Sequence, residues 1–146
     1  MKFIIIKSVA KPESNDPDLI IKWFCQAFGL ESEIERDDSI EERLLKKFID
    51  LASEGKGISS SEIKLSSNIP RTTIIYHLNI LIDMGLIIKK GRKYYLRANE
   101  FSSVIEEIEY DLNREMMRLL DTAKEFDKLK SLSNELNKRK RGSKKE

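Results

Sequence analysis

The sequence predicts a mainly α-helical chain that carries one small β-hairpin and continues into a long helix. Three observations lead there. Between Pro70 and Gly85, Ile74, Leu78 and Leu81 recur at spacings of four and three, the pattern of a short amphipathic helix. Directly behind it, Leu86–Ile88 and Tyr94–Arg97 flank a basic turn around Gly91, as the two arms of a hairpin would. From Phe101 to Leu136 there is no glycine or proline, and apolar residues repeat in heptads.

Taken in order, residues 1–38 read as an N-terminal strand and helix extension. Phe3 to Ile6, with Val9 beyond, form a short apolar run suited to a strand. Lys11 to Pro17 is a loop, and a helix follows from Asp18 to about Phe28, closed by Gly29. The cluster Trp23, Phe24 and Phe28 could line a small-ligand pocket, although core packing is the expected use. Glu31 to Asp38 is an acidic connector.

Residues 39–100 form the central domain. Ser39 and Glu42 have the spacing of a capping box and open a helix through Leu44, Leu45, Phe48, Ile49 and Leu51 to Gly55. Ser59 and Glu62 repeat that spacing, so a second short helix is expected through Ile63 and Leu65 to Asn68. Pro70 then sits where a third helix can begin, since a first-turn proline sacrifices no helical hydrogen bond. Gly85 stops that helix, and the strand from Leu86, the turn Lys89–Lys93 and the return through Tyr94 complete a helix-turn-helix with a short wing.

With Ile74, Leu78 and Leu81 turned inward, the outer arc of the third helix carries Arg71, Thr72, Thr73, Ile75, Tyr76 and Asn79. Such side chains can meet phosphates, base edges and thymine methyls in a major groove. Lys89, Lys90, Arg92 and Lys93 crowd the hairpin tip and repel one another unless a polyanion is near. Basic tips also serve to blunt a sheet edge, so the arc and the tip are needed together. Charge by segment agrees. The whole chain is only +2, but residues 55–100 carry +5 and residues 136–146 another +5, while residues 1–54 and 101–135 carry −4 each. Positive charge is concentrated where nucleic acid would be gripped.

At TTIIYHLNILIDMGLI and the hairpin behind it, the chain resembles the winged helix-turn-helix transcriptional regulators of bacteria and archaea, especially the arsenical-resistance-repressor (ArsR-like) group. The resemblance covers about a third of the chain. It implies that Arg71, Thr72, Thr73, Ile75, Tyr76 and Asn79 face DNA while Lys90 and Arg92 reach phosphate or minor groove. The chain departs from the metal-sensing members, which use cysteine pairs or His/Asp/Glu clusters, because it has only Cys25 and His77. Metal sensing needs several such ligands, so no metal and no cofactor are expected.

In residues 101–136, Ile105, Ile108, Leu112, Leu119, Phe126 and Leu129 fall on a and d positions of one frame, with Glu115 and Thr122 interrupting d. A helix of that length is about 50 Å long, more than a domain this small can cover. Its apolar stripe is therefore expected to pair with the same helix of a second copy, the alternative being a helix folded back over its own domain as a hairpin. The charged segment 137–146 is expected to be disordered.

No phosphate-binding glycine loop, nucleophile elbow or carboxylate–histidine metal motif is present, so an enzyme is not expected. No apolar run approaches a membrane span, and the start MKFIIIKSVAK is too short in its apolar part for a secretory signal. One cysteine excludes an internal disulfide and suits a reducing, cytoplasmic interior. The reading is a homodimeric, cytoplasmic regulator that binds double-stranded DNA. Its alternatives are a protein-interaction adaptor and an RNA-binding module on the same scaffold.

Overall fold

The computed structural model describes residues 6–30, 39–65 and 68–143. The described residues are mainly helical, with a small antiparallel sheet and a long C-terminal helix. In order they form α1 (Pro17–Ala27), α2 (Ile40–Ala52), β1 (Ile58–Ser59), α3 (Arg71–Asp83), β2 (Ile87–Lys90), β3 (Lys93–Leu96) and α4 (Phe101–Ser143). The chain divides into two compact units, Met1–Ile108 and Glu109–Glu146.

In the first unit, helix ends lie where local chemistry puts them. Asp16 caps α1 by accepting from the Asp18 amide at 3.0 Å, with Pro17 at the first helical position. Ser39 caps α2 by accepting from the Glu42 amide, also at 3.0 Å. Gly29, Gly55 and Gly85 follow α1, α2 and α3 with φ of +73°, +68° and +79°, a conformation that costs glycine nothing. Pro70 stands at the N-cap of α3 rather than inside its first turn. The core gathers the apolar face of α2 (Leu44, Leu45, Phe48), that of α3 (Ile74, Leu78, Leu81) and the residues Leu86, Ile87, Tyr94 and Leu96 of the hairpin region. Phe101, Val104 and Ile108 bring the first turns of α4 into the same unit, with the Phe101 ring 4.8 Å from that of Phe24.

The sheet order is β1-β3-β2, both pairings antiparallel. Ile58 faces Tyr94 and Ser59 faces Lys93, while on the other side Ile87 faces Leu96 and Lys90 faces Lys93. The hairpin turn is only Gly91 and Arg92, with positive φ at Gly91 alone, the arrangement that suits the strand twist. Gly57 allows β1 to reach β3: a Cβ there would lie 2.5 Å from the Tyr95 ring and 2.7 Å from the Tyr94 carbonyl oxygen.

Three expectations are corrected, and a fourth lies mostly outside the described residues. The helix expected from Ser59 to Asn68 is not formed among its described residues: β1 is followed by a turn at Ser60–Glu62. Ser59 is tied into the sheet opposite Lys93, and its hydroxyl donates to the Glu62 carboxylate at 2.9 Å instead of capping a helix. Ile63 is still buried, as that helix would have required. The strand expected at Phe3–Ile6 lies mostly outside the described residues. Residues 6–10 are not strand, although the Lys7 amide donates to the Ala27 carbonyl and the Val9 carbonyl accepts from the Trp23 indole. The helix expected to end at Leu136 continues to Ser143, so most of segment 137–146 is helical, not disordered. Finally, Ile108 is consumed by the core of the first unit, 2% exposed, and is not available to a second copy.

In the second unit, residues 109–143 are one continuous helix. Its large apolar residues face solvent, among them Leu119, Phe126, Leu129 and Leu136, each more than half exposed. Among the described residues no helix is long and apolar enough to cross a membrane.

Candidate nucleic-acid interface

α3 presents a continuous polar row. Arg71, Thr72, Tyr76 and Asn79 are exposed, Thr73 and Ile75 half-buried, with Ile74, Leu78 and Leu81 beneath them. Tyr76 is 63% exposed, an uncommon setting for a ring that size, and it stacks edge-on against His77 at 5.1 Å. His77 itself turns back and pairs through Nδ1 with the Glu41 carboxylate. That bond ties α3 to the start of α2. The first turn of α3 has no side-chain cap. Its leading amides are therefore without the side-chain acceptor that most helix starts carry.

The hairpin register decides which basic residues join this row. Directly paired residues share a face, and successive ones alternate. Ile87, Lys89, Tyr94 and Leu96 therefore point to the core side of the sheet, while Ile88, Lys90, Lys93 and Tyr95 point to the other. Lys89 extends past the end of the core with its ammonium 5.4 Å from the Tyr94 ring centre, and Lys90 lies 6.0 Å from that of Tyr95. Lys89 is thus on the side turned toward α3, and Lys90 is on the outer side. Of the two neighbours, Lys89 lines the cleft described next and Lys90 does not.

Between the start of α3, the Ser60–Glu62 turn and the hairpin lies an open cleft of about 640 Å³, lined by Ser59, Ser60, Ser61, Glu62, Arg71, Lys89, Arg92, Lys93 and Tyr94. Four cations meet one carboxylate there, and Glu62 already accepts the Ser59 hydroxyl. Arg71 is oriented by its Nε, which donates to Ser60 Oγ at 3.2 Å. The serine triplet escaped notice as a cleft wall because its spacing to Glu62 matched a capping box. Its signal was the run of three hydroxyls just upstream of Arg71.

Of the ten residues singled out on α3 and the hairpin, the cleft gathers Arg71, Lys89, Arg92 and Lys93, and the exposed row holds Thr72, Tyr76 and Asn79. Elsewhere, Lys11, Pro12, Ile20, Trp23 and Phe24 line a separate cavity of about 290 Å³, while Phe28 packs into the core away from it. Cys25 is buried. Among the described residues no three His, Cys, Asp or Glu side chains gather as a metal site would require. Comparison of the chain with protein-family models, curated proteins and solved structures finds no match.

Proposed function

We propose that the first unit is a winged helix-turn-helix-like domain that binds double-stranded DNA, and that the chain acts as a homodimeric transcriptional regulator of ArsR-like type. α3 enters the major groove with Thr72, Tyr76 and Asn79 toward the base edges, and the hairpin lies along the flanking backbone as the wing. The observation that carries this reading is the cleft of Arg71, Lys89, Arg92 and Lys93 adjoining the exposed row of α3. A row of hydrogen-bonding side chains beside a cluster of cations separates base reading from backbone grip, the division of labour seen where proteins recognise duplexes. The short turn before α3 takes the place of the usual preceding helix.

Selection from a random duplex library followed by fluorescence anisotropy tests the proposal. A preferred duplex should emerge, and the folded Tyr76→Ala, Asn79→Ala double variant should lose that preference while retaining non-specific affinity. Losses of about 1–3 kcal/mol per good base contact are expected on the selected site alone. Full retention of preference would move the recognition face elsewhere. No duplex affinity at physiological salt would favour the protein-interaction adaptor, and preference for A-form RNA would favour the RNA-binding module.

A further inference from the structure

The second unit is a helix with an uncovered apolar stripe, and the order of residues along it specifies how it is covered. We infer that its occupant is the same helix of a second copy running antiparallel, in a register centred on Lys124. This rests on the homodimer proposed above and gives it a direction. With a positions at 112, 119, 126 and 133 and d positions at 115, 122, 129 and 136, the stripe contains three polar interruptions: Glu115, Thr122 and Ser133.

A parallel, in-register pair would set each interruption against itself. Glu115 would face the partner's Glu115 inside the seam, two like charges withdrawn from water with nothing to pair them. The antiparallel register removes that conflict. Leu112 meets the partner's Leu136, and Leu119 meets the partner's Leu129. Thr122 meets the partner's Phe126, a small residue beside a large one, and Glu115 meets the partner's Ser133, whose hydroxyl can donate to it. By symmetry each layer occurs twice, and Leu119, Phe126, Leu129 and Leu136, all exposed in the single chain, are covered together.

Charge along the helix favours the same direction independently. Residues 109–121 hold four acidic and two basic side chains, whereas residues 137–143 hold four basic and none acidic. Parallel pairing would stack the two basic ends on each other. Antiparallel pairing lays each basic end beside the partner's acidic beginning, with Arg139 level with the partner's Glu109. The two copies of residue 109 then stand about 45 Å apart along the pair, at 1.5 Å per residue.

Disulfide mapping on the full chain tests the direction. Glu115→Cys and Ser133→Cys replace only polar layers, so the leucine layers survive, and Cys25 is 2% exposed and stays in place. The doubly substituted protein is oxidised mildly, digested and examined by mass spectrometry, with light scattering on the same sample before oxidation. A dimer in which position 115 is linked to position 133 is expected, with several-fold less 115–115 or 133–133 product. A dimer linked predominantly 115–115 and 133–133 overturns the antiparallel arrangement while leaving the homodimer intact. A monomer at micromolar concentration overturns the homodimer itself and this inference with it.

Discussion

Removing Lys89 and Arg92 together is the sharpest probe of the cleft, because neither side chain is buried and neither supports the core. Both line the cleft with Arg71 and Lys93, and all four are exposed. If each neutralises one phosphate, the logarithm of affinity should fall with the logarithm of salt at a slope near −3.6, about 0.9 per contact. Raising salt from about 50 to 200 mM should then weaken the unaltered protein about 150-fold, and the Lys89→Ala, Arg92→Ala variant, with a slope near −1.8, only about 12-fold. The assay is anisotropy of a labelled duplex at several salt concentrations, with circular dichroism to confirm an unchanged fold. Lys90→Ala supplies the internal comparison, since Lys90, unlike Lys93 opposite it, does not line the cleft. An unchanged slope in the double variant would show that the cleft does not hold the backbone. A larger effect from Lys90→Ala than from Lys89→Ala would show that the other face of the hairpin does.

Gly57→Ala should destabilise the first unit by about 1–3 kcal/mol, because its Cβ would collide with the Tyr95 ring and the Tyr94 carbonyl; thermal denaturation reads this directly. Ser39→Ala removes the acceptor for the Glu42 amide at the start of α2 and should cost about 1 kcal/mol, measured by urea titration. Leu119→Lys with Leu129→Lys should convert a dimer to a monomer in light scattering without lowering the thermal midpoint of the first unit, since both residues are exposed in the single chain.

How far the sequence could be read depended on whether the deciding interaction was local. α1, α2, α3 and the hairpin fall within a residue or two of expectation because their ends are set by near neighbours. Ser39 bonds three residues away, and Gly29, Gly55, Gly85 and Gly91 all take the left-handed conformation that marks an end. The stretch after Gly57 misled because Ser59 and Glu62 have capping-box spacing in any backbone, while the outcome was set by β3, more than thirty residues downstream. A two-residue strand has no periodicity to detect. The difference between Lys89 and Lys90 was likewise hidden, since a shift of one residue in register exchanges the faces. Segment 137–143 was expected to be disordered from its charge. Lysine and arginine are nonetheless good helix formers, and Lys140 and Arg141 lie in the last turn, where a cation complements the helix dipole.

The pairing of Lys90 with Lys93 across the hairpin gives dissolved ions two opposed effects on the same few residues. Like charges directly opposite each other work against their own strand pair. Added salt screens that repulsion and should make the hairpin tip more persistent, slowing hydrogen exchange at its amides. The same salt would weaken the hold of the neighbouring cations on the duplex proposed above. Order in the free hairpin and affinity for a polyanion should therefore move in contrary directions along one salt titration. A bound polyanion would relieve the repulsion by neutralising it, so the tip should be at its most ordered in the complex and at its least ordered in dilute buffer alone.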